Sequence, residues 1–168
     1  MSVAPTGVHR PVHVVAISGS LKESSANSAL VRAFAELDAD QVEVWAELGE
    51  LPHFTPDDDG GAPVASLRAA VARADLVLLA TPEYAGGMPG ALKNALDWLV
   101  GTGELYDKRV AIVSAAPSPE RGANARRWVE ETVGFQGSHV VASFTVTKDD
   151  DPATVLARVL DAFAVTDH

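Results

Sequence analysis

The segment Ser18–Ser28, with the sequence SGSLKESSANS, is rich in small side chains that can donate hydrogen bonds. It follows a run of branched apolar residues and opens a helical pattern, and backbone N–H groups at a helix start attract anions. The candidate ligand-contacting residues are Ser20, Lys22, Ser25, Asn27 and Ser28. Neutral donors with a single cation suit a phosphate monoester. A serine-rich helix cap without a ligand fits the same residues, because serine is common at helix starts.

A second unusual segment spans residues 81–89 and reads TPEYAGGMP. It separates a buried apolar run from a helical pattern by about nine residues, where connections of this type commonly use about two to six. The segment contains a carboxylate, a phenol ring and the flexible pair Gly86–Gly87. Long loops of this kind in compact domains are often functional. The structural alternatives are a packed phenol for Tyr84 and a surface ion pair for Glu83.

Other common catalytic and binding motifs are absent from the sequence. The first loop is neither a GxGxxG dinucleotide loop nor a GxxxxGK[ST] loop, because the glycines are missing. The five histidines are scattered without metal-ligand spacing, and no G-x-S-x-G elbow occurs. The chain has no cysteine, which excludes thiolate nucleophiles and Cys-based metal sites. We therefore predict no metal site and no catalytic side chain.

Five apolar runs alternate with helical patterns along the chain. The predicted strands are VHVVAIS (12–18), QVEVWA (41–46), DLVLLA (75–80), RVAIVS (109–114) and HVVASF (139–144). Leu30, Phe34 and Leu37 have helical spacing, a later helix is expected to start at Pro89, and Asp151 is expected to cap the last one.

The alternation of strands and helices predicts a protein of the α/β class. We expect a flavodoxin-like, doubly wound, five-stranded parallel sheet of order 2-1-3-4-5, with helices on both faces. The switch point lies between strands 1 and 3, so the two unusual loops should meet at the carboxyl ends of those strands. A phosphorylated receiver domain shares this topology but needs an aspartate where this chain has Thr81.

Length and composition limit the class of protein. The chain of 168 residues is 47% apolar, which predicts one domain over 1–168, with residues 1–11 flexible. The formal charge of −10 disfavours nonspecific binding to nucleic acid or to an anionic membrane surface. No apolar run approaches the roughly 20 residues of a membrane span, and the amino terminus lacks the apolar region of a signal peptide. We expect a cytoplasmic location.

Two motifs together resemble one family. "GSLKESSAN" followed by "TPEYAGGMPGALKNALDWL" is similar to the NADPH-dependent FMN reductase family, whose flavodoxin-like members include quinone, azo-dye and chromate reductases. The resemblance extends from Val12 to about Phe144 and includes "LPHF", "ADLVLLATPEY" and "RVAIVSAAP". It implies FMN and NADPH or NADH as cofactors. It also implies a small oxidised acceptor and a homodimer or homotetramer.

The resemblance also implies roles for individual residues. The first loop would hold the FMN phosphate through Ser20, Lys22, Ser25 and Asn27, with Lys22 in place of the usual arginine. The residues that would lie along the isoalloxazine ring are Pro82, Glu83, Tyr84, Ala85 and Gly86, and Ser114 at the end of strand 4 would also contact the flavin. Ala85 stands where the family has asparagine, and Gly87 where it has serine.

The function implied is an NAD(P)H oxidoreductase in which bound FMN passes hydride equivalents to a quinone-like or other small acceptor. The flavin carries that chemistry and the protein positions it. The alternatives are a flavin-binding electron carrier or redox-responsive protein without turnover, and an interaction domain that has lost the flavin.

Overall fold

The computed structural model describes residues 11–166, and within them a parallel sheet is covered by helices on both faces. The strands are β1 (Val14–Ser18), β2 (Val42–Val44), β3 (Leu76–Ala80), β4 (Arg109–Ala115) and β5 (His139–Val146). The helices are α1 (Ala26–Leu37), α2 (Gly61–Arg73), α3 (Gly90–Trp98), α4 (Ala123–Phe135) and α5 (Pro152–Val165), with a 3₁₀ turn at Leu48–Glu50. The sheet order is β2-β1-β3-β4-β5, which confirms the predicted fold. Of the segment predicted to be flexible, 1–11, all but Pro11 lies outside the described residues.

Each face of the sheet builds its own apolar layer. Successive side chains of a strand point to opposite faces, so Val15 and Ile17 pack with α2, α3 and α4, whereas Val14 and Ala16 pack with α1 and α5. All five residues of β3 are buried. Continuous apolar runs therefore mark the central strands because both faces are covered.

The element ends agree with the predicted signals apart from small shifts. Asp151 caps α5, and its carboxylate accepts a hydrogen bond from the N–H of Thr154 at 3.0 Å. Pro89 directly precedes α3 and is not its first residue. Leu37, the last residue of α1, is 50% exposed, so the apolar face predicted from Leu30, Phe34 and Leu37 is buried only at the first two. No helix among residues 11–166 is long and apolar enough to cross a membrane.

Candidate functional site

Three loops converge at the carboxyl ends of the central strands. The N–H of Gly19 donates to Ala80 O at 2.8 Å, which joins the first loop to the end of β3. The N–H of Thr81 donates to Val113 O at 2.8 Å, which joins the second loop to β4. The loop after β4, residues 116–122, completes the cluster. The two loops predicted to meet at the switch point are therefore adjacent.

Serine side chains give the first loop its shape. Ser25 is the N-cap of α1, and its Oγ accepts from the N–H of Ser28 at 3.0 Å. The Ser28 hydroxyl donates to Lys22 O at 3.0 Å and lies 2.9 Å from the Ser18 hydroxyl. The Oγ of Ser20 accepts from the N–H of Lys22 at 3.2 Å. The loop is thus fixed by its own side chains, which is the preorganisation that an anion site needs.

The start of α1 supplies the electrostatics of the first loop. Within the described part of the chain, the N–H groups of Ala26 and Asn27, in the first turn, donate no hydrogen bond. The helix dipole adds partial positive charge at the same place, and the exposed Lys22 lies three residues before the N-cap, with its C=O accepting from the N–H of Ser25 at 3.0 Å. These groups fit a phosphate.

The Asn27 side chain connects the first loop to the end of β4. Its carboxamide is only 3% exposed: Oδ1 accepts from the N–H of Ala115 at 2.9 Å, and Nδ2 donates to Ala115 O at 3.4 Å. The side chain thereby holds the first and third loops together. The contact between Asn27 and FMN remains a prediction. Because the side chain is already paired with Ala115, the backbone N–H of Asn27 is the group that could make this contact.

Asn27→Ala is expected to lower the free energy of unfolding of the apoprotein by about 1–3 kcal/mol, because it removes the buried carboxamide that pairs with the partly buried N–H and C=O of Ala115. Denaturant unfolding measures this change. Asn124→Ala is the matched control, since Asn124 is also the second residue of a helix but is exposed. Equal midpoints for the two variants would show that the bridge contributes no stability.

The tip of the second loop is a tight turn with an unusual backbone. Tyr84 and Gly87 exchange two backbone hydrogen bonds, of 2.9 and 3.0 Å, and the central residues Ala85 and Gly86 have φ values of 50° and 76°. Positive φ at both central residues defines a type I′ turn, whose preferred sequence is Asn-Gly. The asparagine common in the family motif therefore fits the turn itself, whatever its contacts with a ligand.

Ala85→Asn is expected to raise the free energy of unfolding by about 0.5–1 kcal/mol, part of the roughly 1–2 kcal/mol that an L-residue loses in the left-handed region. Thermal unfolding of the apoprotein checks it. Ala46→Asn provides the control, because Ala46 is exposed in a loop and has no positive φ. An Ala85→Asn variant no more stable than that control would contradict the assignment of strain to position 85.

Tyr84 and Glu83 connect the second loop to its neighbours. The phenolic oxygen of Tyr84 lies 3.3 Å from the Ser20 hydroxyl, and the side chain is 53% exposed rather than packed. The Oε2 atom of Glu83 accepts from the N–H groups of Asn124 and Ala125 at 3.1 and 3.3 Å. Glu83 thus caps α4 from another loop, where the N-cap residue itself provides no side-chain acceptor.

The residues next to these contacts set the local charge. Burial lowers the pKa of the Arg126 guanidinium, while the carboxylates of Glu130 and Glu83 act in the opposite direction. Arg126 remains a cation and donates to the Thr145 hydroxyl at 2.6 Å. The start of α4 therefore balances the carboxylate of Glu83 with both N–H groups and a nearby positive charge.

Ser114 lies beneath the third loop. Its side chain is 1% exposed, and its hydroxyl is 3.5 Å from Gly122 O. Gly122 has a φ of 84°, and a Cβ there would lie 2.6 Å from the Ser114 Cβ. The loop can cover the end of β4 closely because residue 122 is glycine. The predicted contact between Ser114 and the flavin remains a prediction.

Two features of the site were missed from the sequence. Trp128 of α4 packs against Gly87, which ties the second loop to that helix. A cavity of about 700 Å³ lies on the β2 side of the first loop, where Leu21, Trp45 and Leu48 are among its lining residues. The only signal for the first feature was the glycine that replaces the family's serine. The sequence offered no signal for the cavity.

Comparison with known proteins places this geometry in a family. Residues 12–152 match the family model described as NADPH-dependent FMN reductase. The chain belongs to this family. FMN and NADPH or NADH are accordingly its cofactors, and it is an NAD(P)H-dependent oxidoreductase. The serine loop at the start of α1 and the small-residue turn at 84–87 fit the phosphate and the flat ring of FMN.

Individual relatives agree with this membership. The chain is 33% identical over 140 residues to a protein of Oryza sativa subsp. japonica named "Probable NADPH:quinone oxidoreductase 2", covering 79% of this chain and 69% of that protein. It is 33% identical over 129 residues to a quinone reductase of Pseudomonas putida, covering 73% and 69%. A flavoenzyme NAD(P)H:(acceptor) oxidoreductase from Paracoccus denitrificans has the same fold, with a TM-score of 0.71, 24% identity and coverage of 90% and 94%.

Proposed function

We propose that this protein reduces quinone-like acceptors with electrons from NAD(P)H, through FMN bound at the three loops. The observation that carries the proposal is the convergence, at the switch point, of a preorganised anion site with a small-residue turn beside it. The relatives that are named quinone reductases support the choice of acceptor. The same names disfavour an electron carrier without turnover.

The first loop would hold the phosphate of FMN. Its contacts would come from Ser20, Lys22, Ser25 and Ser28, together with the N–H of Asn27. Most of these serine hydroxyls already bond to one another or to the loop backbone, so a phosphate would meet a rigid surface. Lysine supplies charge at one point, whereas an arginine would add a planar fork of donors.

The second loop would position the flavin ring. Its Tyr84–Gly87 turn presents backbone groups and only one large side chain, so the chain can approach a flat ligand closely. Pro82 stiffens the exit from β3, Glu83 fastens the loop to α4, and Ala85 and Gly86 form the turn. FMN held there would supply the two-electron chemistry that links oxidation of NAD(P)H to reduction of a quinone to the quinol, with one proton taken up from solvent, and the protein would orient both reactants.

The remaining proposals concern the whole molecule. We infer a single domain over 1–168, a cytoplasmic location and a homodimer or homotetramer. The half-exposed side chains of Tyr84 and Trp128 beside the site are consistent with a neighbouring subunit there. Sedimentation of the FMN-loaded protein would decide among monomer, dimer and tetramer.

Steady-state oxidation of NADPH and NADH by the FMN-loaded protein, with 1,4-benzoquinone as the acceptor, tests the proposed function. We expect consumption of the nicotinamide that depends on both the protein and the quinone. Free FMN at the same concentration, without protein, is the control for nonenzymatic reduction. A rate no greater than that control with either nicotinamide would contradict quinone reductase activity.

A further inference from the structure

Trp128 occupies an unusual position for a tryptophan in this protein. Trp45 and Trp98 are 4% and 1% exposed and belong to the core, whereas Trp128 is 47% exposed on α4. One edge of its ring lies against the backbone of Gly87. A Cβ built on Gly87 would be 2.8 and 2.9 Å from two ring carbons of Trp128, distances that real contacts do not show.

The ring, and not the backbone, therefore requires glycine at position 87. Gly87 has no positive φ, unlike its neighbour Gly86, so its φ angle is not one that calls for glycine. Its N–H and C=O both bond to Tyr84, which makes it one end of the turn that is proposed above to position the flavin ring. A displacement of Gly87 would move the whole turn.

The second loop is fastened to α4 at two points. Glu83 binds the N–H groups of Asn124 and Ala125 at the start of the helix. Trp128 contacts Gly87 about one helical turn further along, since residues three and four apart lie on the same face. The carboxylate fixes where the loop leaves β3, and the ring fixes how closely its tip approaches the helix.

We propose that Trp128 is a positioning residue for the flavin reaction, because it sets the distance of the Tyr84–Gly87 turn from α4 and therefore the position of the turn relative to the bound ring. This inference rests on the proposed function. Trp128 acts through Gly87, and the pair behaves as one unit: a side chain at 87 is compatible with the turn only when the ring at 128 is smaller. The pair replaces a serine side chain at 87 with an aromatic contact from another helix.

The test is a double-mutant cycle of Gly87→Ser, Trp128→Leu and the combined variant. Gly90→Ser is the matched control, because Gly90, the first residue of α3, lies only three residues beyond Gly87 but has open space around it and no positive φ. A side chain that overpacks its site typically makes an equilibrium constant less favourable by about 5-fold to 100-fold. We expect Gly87→Ser to weaken FMN binding by about that factor, and Gly90→Ser to change it less than about 2-fold.

The combined variant decides the mechanism. In the Trp128→Leu background, Gly87→Ser is expected to change FMN affinity by less than about 3-fold, because the shorter side chain removes the clash. Trp128→Leu alone is expected to shift the visible absorption bands of bound FMN and to raise the KM for quinone more than it lowers kcat. Because Trp128 is half-exposed and outside the core, Trp128→Leu should keep the fold, so unfolding would not account for these changes.

Two results with FMN would overturn the proposal. One is Gly87→Ser with the parent's FMN affinity and flavin spectrum. The other is a Gly87→Ser defect that persists undiminished in the combined variant. Thermal unfolding of the four apoproteins measures the coupling of positions 87 and 128 without FMN. A parent that does not oxidise NADPH would count against the proposed function, while additive unfolding effects would count against the contact itself.

Discussion

FMN is expected to bind this protein at least about 100-fold more tightly than riboflavin. The two ligands differ only in the phosphate, and the first loop offers that group the N–H groups of a helix start, serine hydroxyls and Lys22. Hydrogen bonds to a charged group contribute roughly 1.5–3 kcal/mol each, so two of them correspond to about 10²-fold or more in affinity. Quenching of flavin fluorescence on titration with apoprotein measures both dissociation constants.

A substitution in the first loop tests whether that loop causes the preference for FMN over riboflavin. Lys22→Gln removes the single cation of the loop and should reduce the preference for FMN by a factor that shrinks at high salt, since exposed charges are screened. Lys148→Gln serves as the control, because Lys148 is exposed and follows β5, which β3 and β4 separate from β1 in the sheet. Equal affinities of the parent for FMN and riboflavin would rule out the phosphate site.

Ala85→Trp is expected to reduce NAD(P)H–quinone turnover by at least about 100-fold or to release the flavin. Position 85 has a φ of 50°, and a bulky side chain in the left-handed region adds strain to the turn. The indole would also project from the tip of the loop assigned to the flavin ring. Turnover, and the flavin retained after gel filtration, are the quantities to measure.

Ala65→Trp provides the comparison for this second change. Ala65 is exposed on α2, outside the three loops, so a tryptophan there tests the general effect of an added surface indole. We expect turnover of that variant to match the parent. Full activity of Ala85→Trp with its flavin retained would place residue 85 away from the ring, and the assignment of the second loop would be wrong.

The sequence predicted the sheet because its signals are local. Runs such as LVLLA mark strands covered on both faces, and Asp151 followed by Pro152 marks a helix start. The strand order then followed from the alternation of strands and helices. The rule that ligands bind at the switch point then places the two loops side by side from the strand order alone.

The contacts between the loops were not predictable in the same way. The Glu83 contact with α4, the Asn27 bridge to Ala115 and the packing of Trp128 on Gly87 each join residues about 40 to 90 positions apart, as in the 88-residue separation of Asn27 from Ala115. Which residues meet depends on the rotation of α4 about its axis and on the path of each loop, and no local pattern encodes either. The positive φ of Ala85 was hidden because alanine is not a usual residue for a type I′ turn.

The central claim is that FMN held by the three loops accepts electrons from a nicotinamide. Anaerobic titration of the FMN-loaded protein with NADPH, followed by visible absorbance, tests it most directly. We predict loss of the oxidised-flavin bands with about one equivalent of NADPH per FMN, and their return when 1,4-benzoquinone is added. A protein that binds no FMN, or bound FMN whose absorbance is unchanged by excess NADPH and by excess NADH, would contradict the account.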